Sequence, residues 1–159
     1  AKYDFAKSIL PEKKVSAITL IRDPVERVKS QINYIYSNPE HVLHRHIKEI
    51  VDQNLSFEKL FQRNANFSNL QSIMLSGEPD ADKAIESVGQ NIRLMGSTCR
   101  YGKFVTECSL LLGWNTDGLK LDERANKSSI SLELDDSLIL DYNREDHKLF
   151  EWYMKKVNL

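Results

Sequence analysis

Three polar side chains near the start of the chain have the types and the spacing to bind an anion. Arg27 lies five residues after Arg22, and Ser30 lies eight residues after Arg22. A guanidinium presents a planar fork of N–H donors that matches a phosphate group, and a hydroxyl adds one directed hydrogen bond. If Arg22 ends a strand and Ser30 lies about two turns into the following helix, the two side chains are predicted to bind one phosphate.

The surrounding residues predict the strand and the helix that this arrangement needs. Residues 15–21 carry no charge, are β-branched or apolar except for Ser16, and indicate a buried strand. Asp23 is a typical N-cap, Pro24 suits the first helical position, and Glu26 completes a capping box. The helix is predicted to run to about Tyr36, and its dipole favours an anion at its N-terminus. One apolar stripe recurs at steps of three and four: Val25, Val28, Ile32 and Ile35.

The same residues also have a plain structural explanation. Arg22, Asp23 and Pro24 together make an ordinary helix start, and a helical serine such as Ser30 commonly faces water. Strand, cap and spacing alone leave both interpretations open.

Residues 18–30, ITLIRDPVERVKS, resemble a cofactor-binding segment of a known family. In sulfotransferases that depend on PAPS (3′-phosphoadenosine 5′-phosphosulfate), a similar segment binds the 3′-phosphate. The likeness is to the heparan sulfate 2-O-sulfotransferase group and its bacterial relatives. It implies that Arg22 and Ser30 contact the 3′-phosphate of PAPS and of its product PAP.

Further segments resemble the same family, so the likeness covers most of the chain. The loop before the last helix, which folds over the adenine and the 3′-phosphate in related enzymes, corresponds to a run that contains Lys127 and Ser128. The resemblance therefore makes these two residues candidate cofactor contacts, although an exposed loop rich in turn formers explains the run equally well. The other similar segments are residues 4–7, 69–77, 95–98 and 143–152.

The chain departs from the family pattern in two ways. Cys99 stands where the family has a glutamate after V-G-x-T. The lysine-containing turn that cradles the 5′-phosphosulfate is not visible, and the resemblance places both this turn and a catalytic histidine before Ala1. We therefore expect the C-terminal portion of a sulfotransferase domain, with no catalytic residue assigned within it and little transfer activity of its own.

Composition restricts the alternatives further. A chain of 159 residues with 41% hydrophobic and 28% charged residues predicts one globular domain over residues 1–159. The net charge of −1 gives no general attraction to nucleic acid or to an anionic membrane. No apolar run approaches the roughly 18 residues of a membrane span.

The histidines and cysteines give weaker signals. His41 and His44 are three residues apart, but no further ligand follows at a suitable spacing, and no metal is predicted. The resemblance places His44 and Arg45 near the groove for an acidic acceptor. Cys99 and Cys108 are compatible with a disulfide or with two free thiols, and their spacing does not decide between them.

Elsewhere the pattern predicts mostly helices. One further strand is expected at residues 92–95, with Gly96 at its tip, and residues 115–133 are expected to be irregular. Helices are predicted near residues 1–10, 40–52, 57–61, 69–75, 80–88, 104–112 and 135–156.

These observations predict a three-layer α/β fold with a mainly parallel sheet, of the P-loop nucleotide-binding type, that lacks its first strand and loop. The expected function is transfer of a sulfuryl group from PAPS to a hydroxyl of a carbohydrate or small metabolite. The alternative is a non-catalytic PAP-binding module of the same fold. A nucleotide kinase is disfavoured because the chain has no G-x-x-x-x-G-K-[ST] motif.

The missing strand has a consequence for assembly, because an open sheet edge favours association. We therefore expect poor folding of the isolated chain or a homodimer. The resemblance implies a cytoplasmic location for a bacterial member of the family and the Golgi lumen for an animal member.

Overall fold

The computed structural model describes residues 17–115, 117–118 and 130–158, which form a mainly helical α/β structure with two parallel strands. The prediction of an α/β class with parallel strands is confirmed for these residues. In chain order the elements are β1 Ala17–Ile21, α1 Pro24–Tyr36, α2 His44–Asp52, α3 Glu58–Arg63, α4 Leu70–Ser76, α5 Ala81–Asn91, β2 Ile92–Ser97, α6 Tyr101–Leu112, α7 Asp136–Tyr142 and α8 Arg144–Val157, with 3₁₀ turns at Ala65–Phe67 and Thr98–Arg100.

The two strands bring the ends of distant segments together. β1 pairs in parallel with β2, and the last pair in register is Ile21 with Ser97. The predicted second strand was too short, because Gly96 lies within β2 rather than at its tip. The ring of Phe104 on α6 packs where a Cβ of residue 96 would project, so glycine is what allows α6 to approach the strand.

The start of α1 follows the sequence prediction closely. Asp23 Oδ1 accepts a hydrogen bond of 3.0 Å from the backbone N–H of Glu26, and Pro24 occupies the first turn. The apolar stripe is buried at Val28, Ile32 and Ile35. The strand, turn and helix of this segment are therefore confirmed for the described residues, but the strand is not buried as predicted, because only Ile21 of β1 is buried and Leu20 is exposed.

Two apolar clusters hold the helices in place. The first surrounds α1 and joins it to α2, α3 and α7, with Ile47, Phe61 and Ile139 among its buried members. The second lies between α4, α5, α8 and β2, with Ala84 and Leu149 at its centre. α1 thus packs mainly on helices, and only its first turn adjoins the sheet edge.

The prediction of one helix over residues 135–156 was wrong. α7 and α8 are separate helices, and the chain breaks at Asn143, whose backbone has φ −126° and ψ 31°. The Asn143 side chain is fully buried, and its Nδ2 donates hydrogen bonds to the carbonyls of Phe67 and Ile139. A buried amide bonded in this way competes with continuation of the helix.

The helix predicted over residues 40–52 begins later, at His44. Residues 38–43 form turns instead, and His41 Nδ1 accepts a hydrogen bond of 3.1 Å from the backbone N–H of Leu43. The helix predicted for residues 1–10 lies outside the described residues. Among the helices that the structure describes, none is both long enough and apolar enough to cross a membrane.

Candidate anion-binding site at the end of β1

Arg22 lies immediately after β1, at the carboxyl end of the sheet. Its backbone is held on both polar groups by Gln71: the Arg22 N–H donates to Gln71 Oε1 at 2.8 Å, and Gln71 Nε2 donates to the Arg22 carbonyl at 2.9 Å. The Arg22 side chain is 35% exposed, and its Nη2 lies 3.4 Å from Glu26 Oε2. The backbone is therefore fixed while the guanidinium remains accessible.

Ser30 is exposed on α1, one helical turn after Glu26. Residues four apart on a helix are neighbours, with about 6 Å between their Cβ atoms. Because the Arg22 guanidinium reaches Glu26, the structure places Arg22 and Ser30 on the same exposed side of α1, with Glu26 between them. Within the described part of the chain the Ser30 hydroxyl has no hydrogen-bond partner.

Two carboxylates define the electrostatics of this surface. Asp23 already caps the N-terminus of α1, so an anion here would be held by side chains rather than by the first amides of the helix. The Glu26 carboxylate contacts the Arg22 guanidinium, which is the group that would bind a phosphate. An exposed ion pair of this kind contributes only about 0.3–0.5 kcal/mol, so a phosphate that carries more charge is able to displace it.

Arg27, predicted as a second guanidinium near the phosphate, is instead turned into the protein. Its Nη1 donates to Gln31 Oε1 at 3.2 Å and to the Asn66 carbonyl at 2.9 Å, and its Nη2 donates to Asn143 Oδ1 at 3.0 Å. Burial lowers the pKa of Arg27, and the nearby charge of Asp146 opposes this shift. Arg27 is thus committed to internal partners.

Asp146 is the fully buried carboxylate beside Arg27. The Arg27 Nε lies 3.9 Å from Asp146 Oδ2, and no hydrogen bond of this Nε is present among the described residues. Asp146 also accepts hydrogen bonds from the backbone N–H of Gln71 at 3.0 Å, and from the N–H and hydroxyl of Ser72 at 2.7 and 2.8 Å. One carboxylate therefore caps α4 and balances the charge of Arg27.

Asn69 makes the reciprocal cap on α8. Its Oδ1 accepts from the backbone N–H groups of Glu145 and Asp146 at 3.0 and 3.3 Å. Its own N–H donates to Asn143 Oδ1 at 3.0 Å, and its φ of 48° places it in the left-handed region. The N-termini of α4 and α8 thus cap each other, and Arg27 ties α1 to the start of α8 and to the 3₁₀ turn that precedes α4.

These residues are not among the predicted contacts, although two of the segments that resemble the family contain them. Residues 69–77 supply Asn69 and Gln71, and residues 143–152 supply Asn143 and Asp146. These amides and the carboxylate lie in helices that are otherwise apolar on one side, and this was the signal in the sequence that could have pointed to them. Spacing did not show that the two segments meet.

Lys127 and Ser128 lie outside the described residues. The segment that follows them is described from residue 130 and runs along α1. The Leu132 N–H donates to Asn33 Oδ1 at 3.0 Å, and Lys29 forms an ion pair with Asp136. Lys29 and Asn33 adjoin Ser30 on α1, so this segment passes close to the candidate site.

A cavity of about 490 Å³ lies elsewhere, between the end of α2, the start of α3, residues 132–135 and α7. Its lining is mostly apolar, and it contains neither Arg22 nor Ser30. The candidate site is accordingly part of an exposed surface and does not belong to this cavity.

His44 has a local partner, and the two cysteines are not joined to each other. His44 Nδ1 lies 3.1 Å from the Ile35 carbonyl, and Arg45 is exposed on α2. Cys99 is an exposed free thiol and Cys108 a buried one, which resolves the alternative that spacing left open. In the described ranges no three His, Cys, Asp or Glu side chains are grouped as metal ligands.

Comparisons with protein-family models, with curated proteins and with solved structures found no match for this chain. The class that the described residues define is a mainly helical α/β protein with a parallel strand pair.

Proposed function

We propose that this chain is part of a PAPS-dependent sulfotransferase of the three-layer, P-loop-like type and supplies the binding site for the 3′-phosphate of the cofactor. The observation that carries the proposal is the accessible Arg22 guanidinium at the end of β1, on the same side of α1 as the exposed Ser30 hydroxyl. The two groups offer a charged donor and a directed donor to one phosphate.

Binding replaces the contact between Arg22 and Glu26. The guanidinium would turn from the Glu26 carboxylate to the phosphate oxygens, and the Ser30 hydroxyl would donate a hydrogen bond to another oxygen of the same phosphate. The new hydrogen bonds to the phosphate contribute more binding free energy than the broken ion pair with Glu26 supplied. Hydrogen bonds to charged groups contribute about 1.5–3 kcal/mol, and the exposed ion pair contributes much less. Lys127 and Ser128 are proposed as additional contacts to the cofactor.

Holding the 3′-phosphate contributes to catalysis through orientation. A sulfuryl group moves to an acceptor hydroxyl when the two reacting atoms are held in line, and binding energy from a remote part of the cofactor serves that purpose. In this proposal Arg22 and Ser30 anchor the nucleotide, and the acceptor is a carbohydrate or a small metabolite. No catalytic base is assigned to the described residues.

Calorimetric titration with PAP tests the proposal. Arg22→Ala is expected to weaken binding by about 2 kcal/mol, roughly thirtyfold, and Ser30→Ala by about 1 kcal/mol, roughly fivefold. Arg144→Ala and Ser137→Ala are matched controls, since Arg144 is an exposed arginine paired with Asp141 and Ser137 is an exposed helical serine. Both controls are expected to bind PAP like the wild-type chain.

Equal affinity of Arg22→Ala and the wild-type chain would contradict the assignment. PAP binding that depends on Arg22, together with no sulfuryl transfer by the protein, would favour the non-catalytic module of the same fold.

A further inference from the structure

Gln71 on α4 makes an unusual contact with the candidate site, because both polar atoms of its side chain bond to the backbone of one residue. Its Oε1 accepts from the Arg22 N–H at 2.8 Å, and its Nε2 donates to the Arg22 carbonyl at 2.9 Å. Pairing between the strands ends one residue earlier, at Ile21 and Ser97. The Gln71 amide thus bonds to the N–H and the carbonyl of Arg22, as the backbone of a neighbouring strand would.

Gln71 is itself held by a buried charge. Its N–H donates to Asp146 Oδ2 at 3.0 Å, and Asp146 is fully buried beside Arg27. The backbone of Gln71 is therefore held by the junction of α4 and α8, and its side chain extends from there to Arg22.

We propose that Gln71 is a positioning residue of the 3′-phosphate site, which acts by fixing the peptide groups of Arg22. This inference rests on the proposed function. The Arg22 guanidinium lies at the end of a long side chain, and a fixed backbone determines where that side chain begins and which region of α1 it reaches. Binding sites are more precise when the groups behind the contacting residue are held by hydrogen bonds. Gln71 supplies such support without contacting the ligand.

A double-mutant cycle distinguishes positioning from a purely structural role. PAP and adenosine 5′-phosphate, which lacks the 3′-phosphate, are titrated into the wild-type chain, Gln71→Ala, Arg22→Ala and the double variant, at a temperature where all are folded. Gln71→Ala is expected to weaken PAP binding about tenfold and to leave adenosine 5′-phosphate binding unchanged. In the Arg22→Ala background the effect of Gln71→Ala is expected to disappear, because the two residues act as one unit.

Two further variants complete the design. Gln90→Ala is the matched control, since Gln90 is an exposed glutamine whose amide, in the part of the chain that the structure describes, bonds to Glu86 in its own helix. Gln71→Glu keeps an acceptor for the Arg22 N–H but sets a carboxylate oxygen against the Arg22 carbonyl, so PAP affinity is expected to fall at least as far as in Gln71→Ala. This variant also replaces Gln71→Ala in the cycle if the alanine variant does not fold.

Amide hydrogen exchange gives a readout that needs no ligand. Exchange at the Arg22 N–H is expected to be faster in Gln71→Ala than in Gln90→Ala, because its acceptor is removed.

The outcomes separate the two proposals. PAP binding that depends on Arg22 but is unchanged in Gln71→Ala would overturn the role of Gln71 alone. An equal loss for both nucleotides, or Arg22 exchange at the wild-type rate, would also overturn it. No binding of PAP to the wild-type chain, or no dependence on Arg22, would overturn the proposed function and this inference with it.

Discussion

Arg22 and Arg27 belong to the same segment, five residues apart, yet the structure uses them in opposite ways. Arg22 lies at the surface with one weak ion pair, to Glu26 at 3.4 Å. Arg27 is 13% exposed and donates to Gln31, Asn66 and Asn143. A guanidinium whose two Nη groups are bonded to other parts of the protein is not available to a ligand. The comparison teaches that partners and burial, rather than residue type and spacing, decide which arginine is able to bind a phosphate.

The largest expected effect is a loss of stability when Asp146, the buried carboxylate beside Arg27, is removed. Asp146→Ala removes the acceptor for three hydrogen bonds from Gln71 and Ser72 and leaves the Arg27 charge without its partner. We expect the free energy of unfolding to fall by about 3–5 kcal/mol, measured by urea denaturation. Asp141→Ala is the control, because Asp141 is exposed and its partner among the described residues is the exposed Arg144. A similar small change in both variants would contradict the account of the junction.

A second pair of variants compares the two arginines directly. Arg27→Ala removes three hydrogen bonds, to the half-buried Gln31, to the carbonyl of the exposed Asn66 and to the buried Asn143, and is expected to cost about 2–3 kcal/mol of stability. Arg22→Ala leaves the backbone contacts with Gln71 in place and is expected to change stability by less than about 0.5 kcal/mol. Urea denaturation of the two proteins side by side measures the difference. Equal losses would show that both arginines serve the fold in the same way.

The smallest expected effect concerns Glu145, at the edge of the junction. Its pKa is lowered, first by the hydrogen bond from Lys148 and then by the one from the Ala81 N–H at the start of α5. A lowered carboxyl pKa stabilises the fold above the ordinary value of about 4.5, and this contribution is lost as the pH falls through the folded value.

Glu145→Gln, which does not titrate, is therefore expected to be less stable than the wild-type chain by about 0.5 kcal/mol at pH 7. The two proteins are expected to converge in acid, as measured by thermal unfolding from pH 7 to about pH 3. A difference that stays constant over this range would contradict the charge-based explanation.

Local chemistry made part of this structure predictable. The apolar run before Arg22, the N-cap at Asp23 and the proline at residue 24 each act within a few residues, and β1 and the start of α1 follow from them. The accessibility of Ser30 also follows, because it lies opposite the apolar stripe of α1.

Long-range contacts were not predictable in the same way. Arg27 meets Asn143, which is 116 residues away, and Asn143 meets the Phe67 carbonyl, which is 76 residues away. Helical periodicity continues smoothly through Asn143, so it predicted one helix where the buried amide makes two. The capping-box prediction was half right: Asp23 caps α1, but the Glu26 carboxylate contacts Arg22.

The central claim is that Arg22, and not Arg27, is available to the 3′-phosphate. Nitrogen-15 NMR of the guanidinium Nε–H groups during a titration with PAP tests it most directly, with the two signals assigned from Arg22→Lys and Arg27→Lys. We predict that the Arg22 signal shifts to saturation with PAP and stays in place with adenosine 5′-phosphate, while the Arg27 signal does not move with either nucleotide. A shift of Arg27 alone, or no shift of Arg22 at saturating PAP, would contradict the account.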